Sequence, residues 1–399
     1  MNPAEKPAPG TVPPEEFVPL IVPEIRGNEW AYVKECLDTN WVSSVGSYVD
    51  RFEKMTAERV GTKYAVATVN GTAALHIALI LAGVQADDEV VVSTLTFIAP
   101  ANAIRYVGAW PVFIDAEPRY WQIDPDGVVD FLEHGCDWNG QVLRNRRTGR
   151  RVKAILPVHI LGHPVDLDPI LAVAAKFSLP VIEDATEGLG ARYRGKSLGG
   201  FGHAGCFSFN GNKIITTGGG GMLVTDNAEW AARARYLTTQ AKDDPIEYQH
   251  NAVGYNYRLT NLLAAMGCAQ MEQLDAFVEA KRQIAGRYRK SLASLPGIRL
   301  PEEAEWAFSA FWMYTVLIDE KESRIDSRTL LREQAARNIQ TRPLWRPIHR
   351  SPAHLLSGAF SCPVSEALHR QAISLPCSVG LTHSAQDRVI EGIASLLGE

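Results

Sequence analysis

From Tyr64 onward the chain alternates short runs of β-branched and apolar residues with longer stretches of helical periodicity, a pattern that buries its strands in a parallel sheet covered by helices. Tyr64–Val69 reads as a strand and Thr72–Ala82 as an apolar helix closed by Gly83. Glu89–Ser93 is the next strand, followed by a helix around Ala101–Val107 and a strand at Pro111–Asp115. Val152–Ile160 and Pro180–Asp184 are nearly continuous apolar runs, as expected of strands buried on both faces. Between Glu133 and Val152 lies a polar insertion whose Asn139-Gly140 pair predicts a hairpin turn. Its arginines, Arg144, Arg146, Arg147, Arg150 and Arg151, either grip a diphosphate or form a solvated hairpin face, the commoner fate of such clusters.

After Gly218–Gly221 the pattern becomes long and helical from Leu259 to about Leu295, with Pro296-Gly297 as a stop. A domain boundary is expected in that helix, separating a large domain, 19–275, from a smaller α/β domain, 276–399. The latter contains a strand-like Phe311–Ile318, a helix near Ser327–Asn338 and a final helix from Ala385. Five prolines between Met1 and Pro14 predict a flexible tail over residues 1–18.

Charge and composition narrow the partners. Among 399 residues, Lys plus Arg number 40 and Asp plus Glu 45, a formal charge of −5 that offers no footprint for nucleic acid or an anionic membrane. The longest apolar stretch, Ala65–Val84, is broken by Asn70, Gly71, Thr72 and His76 and falls short of the ~20 residues that span a bilayer. The six cysteines include no CxxC pair, so neither a metal site nor a disulfide framework is expected. With no signal-peptide pattern at the N-terminus, the expectation is a cytoplasmic enzyme acting on a small molecule.

Four segments carry candidate chemistry. Asp184 ends the strand from Pro180, at the sheet edge where α/β proteins bind ligands, and serves either function or the capping of its loop. Lys213 follows Cys206-Phe207-Ser208-Phe209-Asn210-Gly211-Asn212, a strand leading into a polar turn. A lysine leaving a buried strand about 30 positions after an acidic strand end suits Schiff-base chemistry, although most lysines are merely solvated. Asn70-Gly71-Thr72 sits between strand and helix, where backbone N–H groups and a hydroxyl meet an anion or simply cap the helix. Phe97 follows the next strand and either stacks on a ring or belongs to the core.

Together with Trp41-Val42-Ser43-Ser44, Glu183-Asp184-Ala185 and Gly254-Tyr255-Asn256-Tyr257-Arg258, these segments resemble the DegT/StrS-type nucleotide-sugar aminotransferases, from about Pro19 to the C-terminus. Within that family, Ser208–Met222, the arginine-rich insertion and the segment Thr239–Asp244 look most like the LegC-type enzymes of nonulosonic sugar synthesis. The resemblance implies an α/β, aspartate-aminotransferase-like fold (pyridoxal phosphate fold type I). It also implies pyridoxal 5'-phosphate as cofactor, held by Lys213 through a Schiff base, with Asp184 on the ring nitrogen, Phe97 stacked on the ring, and Gly71, Thr72 and Ser208 on the phosphate. It further implies that Asn256 reaches the neighbouring subunit's cofactor, making a homodimer with shared sites. Ser43, Ser44, His159, Arg258 and His349 are the implied sugar-nucleotide contacts.

Glu187 stands where many relatives carry Gln or His beside the phenolic oxygen. It is expected to be protonated, turned away or compensated by a cation. The implied reaction moves the amino group of L-glutamate to C4 of a UDP-4-keto-6-deoxy-N-acetylhexosamine. The alternatives are amination at C3 or a non-catalytic regulator on the same fold, which loss of Asp184 or Lys213 would mark.

Overall fold

The computed structural model describes residues 17–398 apart from Pro245. Residues 1–16 of the expected tail lie outside the described residues. Val18, at its end, is already buried, donating its N–H to Asn338 and bridging Ile339.

The principal sheet runs in the order Tyr64–Thr68, Gly221–Thr225, Ala204–Ser208, Ile182–Asp184, Arg151–Leu156, Glu89–Ser93, Trp110–Ile114 and Gly358–Ala359. Bridges from Ile155 to Val181 and from Val158 to Asp184 join its two halves. Gly221–Thr225 runs against both of its neighbours, and the other pairings in this series are parallel. Glu89–Ser93 is buried at every position, in keeping with its valine run and with helices on both faces.

The strand-to-helix crossovers place the ends of these strands, and therefore the segments beginning at Asn70, Thr94, Thr186 and Phe209, along one edge. Helix Gly71–Leu81 starts where Asn70, in an extended conformation, accepts a hydrogen bond from the Ala73 N–H at 2.8 Å. Such a cap contributes about 1 kcal/mol. The helix lies against the antiparallel strand so closely that a Cβ on Gly221 would stand 2.4 Å from the Asn70 carbonyl. Only glycine fits there.

The predicted hairpin is present, with Cys136–Trp138 paired to Leu143–Asn145 and Asn139 Oδ1 accepting the Gln141 and Val142 N–H groups in the turn. Its arginines turn to protein partners. Arg151 forms a two-pronged pair with Asp88, Arg146 pairs with Asp137, Arg144 donates to the Gly149 carbonyl, and Arg150 and Arg147 lie over the Trp110 and Phe360 rings. Asp88 precedes the strand Glu89–Ser93, so the cluster sits at the sheet edge opposite the strand ends that carry the candidate site. That favours the hairpin-face reading over the diphosphate grip.

One long helix was expected from Leu259 to Leu295; two are found, Asn261–Glu272 and Leu274–Leu292, breaking at Gln273. No Gly or Pro marks the break. The first packs on helices Glu29–Asp38 and Ser47–Val60, and the second meets the final helix, His383–Leu397, so the chain turns to serve two different packing surfaces. A second, wholly antiparallel sheet follows, in the order Ile298–Arg299, Tyr314–Ile318, Ala372–Leu375 and Arg342–Pro343. The expected strand is shorter than Phe311–Ile318 because Phe311 takes a positive φ of 45° and Trp312 turns toward the strand-end edge. One excursion returns across the expected boundary: Gly358–Ala359 covers the Trp110–Ile114 strand edge of the first sheet. No helix among the described residues is long and apolar enough to cross a membrane.

Candidate active site

A cleft of about 410 Å³ opens at the strand ends, lined by Gly71, Thr72, Phe97, Thr186, Glu187, Ser208, Asn210, Asn212, Lys213, Trp312 and Trp345 among others. On one side, the first turn of helix Gly71–Leu81 contributes backbone N–H groups of Gly71 and Thr72 that have no intrahelical acceptor. The Thr72 and Ser208 hydroxyls share that corner. A Cβ on Gly71 would come within 2.9 Å of the Ser208 Cβ, so the glycine lets the helix end close on the neighbouring strand. This corner is built for an anion.

Lys213 lines the same cleft. The turn that presents it is tied down at several points: Phe209, fully buried, donates to Gly220; Lys213 N donates to the Asn210 carbonyl at 3.0 Å; and Asn210 Nδ2 donates to Asn212 Oδ1 at 3.1 Å. The Lys213 side chain is 13% exposed, and its Nζ lies 3.3 Å from Glu187 Oε1 and 4.1 Å from the centroid of the Trp312 ring.

Asp184 lies at the end of its strand and is 2% exposed, with Oδ1 accepting the Thr186 N–H. Burial pushes its carboxyl above the usual range, only partly offset by Thr186, the charge of Lys213 and His159. A cationic ring nitrogen is the partner such a group lacks. Glu187 is likewise raised by burial, with Lys213 and the Leu161 N–H pulling it back. Of the three fates expected for Glu187, the geometry matches compensation by a cation: the carboxylate faces the lysine, while its Oε2 accepts the Leu161 N–H at 2.9 Å.

An anion corner, an amine and a buried acid are the kinds of group that the phosphate, aldehyde and ring nitrogen of pyridoxal phosphate call for. The profile of the DegT/DnrJ/EryC1/StrS aminotransferase family matches residues 23–394. The chain belongs to that family. EpsN of Bacillus subtilis, which carries the name of a pyridoxal phosphate-dependent aminotransferase, is 41% identical over 94% of this chain and 95% of its own. The GDP-perosamine synthase of Caulobacter vibrioides is 40% identical over 95% of this chain and 98% of its own. Among solved structures, the aminotransferase TlmJ from Streptoalloteichus hindustanus superposes with a TM-score of 0.86 at 28% identity, covering 96% of this chain and 99% of that one. This DegT-family chain is thus a pyridoxal phosphate-dependent aminotransferase of fold type I, from a family whose members act on nucleotide sugars.

Phe97 is 56% exposed at the cleft, where an aromatic face is free to receive a ring, and is not a core residue. Three expected sugar-nucleotide contacts are engaged elsewhere. His159 is fully buried, with one ring nitrogen 3.2 Å from Glu183 Oε2 and the other accepting the Val165 N–H, so neither is available to substrate. Arg258 is drawn to the buried Glu53 carboxylate, an ion pair that leaves its side chain 9% exposed. His349 sits between Thr94 Oγ1 at 2.7 Å and Glu366 Oε1 at 3.1 Å, outside the cleft lining, although Trp345, four residues earlier, is in it.

Ser43, Ser44 and Asn256 also fall outside this protomer's cleft; Ser43 and Asn256 are exposed, and the Ser43 carbonyl accepts the Asn261 N–H. Sequence reasoning missed Trp312, Trp345 and Thr186. Both tryptophans reach the cleft from the C-terminal residues, and in the sequence Trp312 looks like one more apolar position of a strand.

Proposed function

We propose that this enzyme transfers the amino group of L-glutamate to C4 of a nucleotide-linked 4-keto-6-deoxy sugar, giving 2-oxoglutarate and the 4-amino sugar for surface glycan synthesis. The observation that carries the reading is that one cleft brings together the Lys213 amine and a helix-terminal anion corner, while the buried Asp184 carboxyl, behind the lining, feels the charge of Lys213. Pyridoxal phosphate, when bound, supplies an aldehyde that condenses with amines and a ring that stores an electron pair.

The chain's own residues do the rest. Gly71, Thr72 and Ser208 bind the phosphate, Phe97 covers the ring, and Asp184 holds a proton on the ring nitrogen and is ionised by doing so. Lys213 anchors the cofactor and is the base and acid that moves a proton at Nζ. Trp312 and Trp345 give the cleft two aromatic walls. Asn256 acts at the partner's site in a homodimer. Exposed Trp41, Val42 and Val45 around Ser43 and Ser44, and exposed Ile246, Tyr248 and Val253 ahead of Asn256, give that contact apolar surface to bury.

The likeness to LegC-type enzymes supports a UDP-linked N-acetylhexosamine, made and used in the cytoplasm. A second reading, a GDP-linked sugar, is favoured by the name of the 40% identical relative. Borohydride reduction with peptide mapping tests the lysine: a pyridoxyl label anywhere but Lys213 refutes the assignment. Incubating the enzyme with glutamate and each nucleotide-linked keto sugar, then locating the new amine by NMR, decides the substrate. An amine at C3 refutes the regiochemistry.

A further inference from the structure

The Lys213 amine is enclosed on two sides by groups that its attachment to a cofactor does not require. Glu187 Oε1 lies 3.3 Å from Nζ, and the Trp312 ring 4.1 Å away on another side. Both are held in place. The second Glu187 oxygen accepts the Leu161 N–H, and the Trp312 indole N–H donates to the Asn212 carbonyl, one residue before the lysine, at 2.8 Å. The segments carrying these holders are themselves laced together. Ala310 donates to the Gly162 carbonyl at 2.9 Å, and the Ser309 hydroxyl joins it at 3.1 Å. Gly162 has a φ of +87°, and a Cβ there would stand 2.6 Å from the Trp312 nitrogen. Two distant stretches of chain therefore converge to frame one amine.

We propose that Glu187 and Trp312 form a resting site for the Lys213 ammonium in the apoenzyme, with Trp312 as a positioning residue, vacated when the amine is captured covalently. This rests on reading Lys213 as the cofactor lysine. A lysine released inside a half-buried cleft loses most of its water, and its charged form then needs partners. The carboxylate supplies opposite charge and the indole face a cation–π contact. The buried Asp184 carboxyl is the further acid coupled to the Lys213 charge.

Covalent capture of pyridoxal phosphate by the apoenzyme, followed by stopped-flow absorbance across pH, reads the resting site without turnover. Glu187→Gln and Trp312→Leu bind to full stoichiometry, but the pH midpoint of capture moves down. Capture near neutral pH then speeds up about tenfold for the first and about threefold for the second. Trp312→Phe, which keeps a π face and loses only the bond to Asn212, stays near the wild-type midpoint. Unmoved midpoints in both Glu187→Gln and Trp312→Leu overturn the proposal, and equal shifts in the Phe and Leu variants reduce Trp312 to packing and overturn its part. Trp312→Met serves if the Leu variant does not fold. Lys213→Ala is the control: if it still forms the Schiff base, the reading of Lys213 fails, a result distinct from failure of the resting site.

Discussion

The Arg258 guanidinium closes on the Glu53 carboxylate, and both side chains are removed from solvent, at 9% and 7% exposure. Glu53 also accepts the Ala67 N–H and a second arginine, Arg235, so one buried acid ties helix Ser47–Val60 to strand Tyr64–Thr68 and to the segment carrying Asn256. Glu53→Ala strands a buried cation and costs about 3–5 kcal/mol, read as a lower urea midpoint. Were Arg258 a substrate contact instead, Arg258→Met would raise KM and leave that midpoint in place; the expected result is the reverse.

The anion corner depends on how closely the helix approaches the antiparallel strand. Asn70→Ala removes the cap and lowers stability by about 1 kcal/mol, with weaker retention of pyridoxal phosphate on dialysis. Gly221→Ala forces Asn70 to move and costs about 1–3 kcal/mol. If cofactor retention in Gly221→Ala matched the wild type, the corner would not be the phosphate site.

Asp184 provides a test through pH. Its folded pKa is raised by burial, so across the window from the ordinary carboxylate value up to the folded value the folded apoprotein holds a proton that the unfolded chain has lost. Stability contributed by this group therefore falls as pH rises through that window. Asp184→Asn abolishes the loss: the apoprotein variant melts higher than wild type above the window and gains nothing below it. Its turnover drops on the order of 10²–10³-fold, because a neutral amide no longer holds the ring nitrogen protonated. A variant that melts lower at every pH would contradict the sign.

Sharing of sites between subunits is testable by complementation. Lys213→Ala and Asn256→Ala are each inactive alone; random reassortment of the two gives heterodimers with one intact site, so about a quarter of wild-type activity returns. No recovery on mixing would show that Asn256 does not serve a neighbour's site.

The arginine-rich hairpin predicts a null result. Replacing Arg144 and Arg146 by alanine together leaves the KM for the nucleotide sugar unchanged and stability within about 0.5 kcal/mol. A several-fold rise in KM would restore the diphosphate reading.

What could be read from the sequence was what is local along the chain. Asp184, Thr72 and Lys213 each sit within a few residues of a strand end, and parallel topology alone brings strand ends to one edge, so their place along that edge followed from the alternation of elements. His159 and Arg258 were misjudged for the opposite reason. Each is claimed by a carboxylate far away in sequence, Glu183 and Glu53, and no periodicity tells which of two buried acids will capture a nearby base. Trp312 and Trp345 stayed hidden because their burial and aromatic character are equally those of core residues; only the path of the chain past Gly162 and Thr94 sets them in the cleft. The break at Gln273 carries no helix-breaking residue and answers solely to packing on either side.

The short strand at Gly358–Ala359 gives the molecule an order of assembly. During synthesis, the open flank of Trp110–Ile114 waits unpaired until nearly the whole polypeptide has left the ribosome. Nascent chains stopped before this late stitch would present a bare flank to one another, so truncation near the end should yield aggregates in preference to a smaller working enzyme.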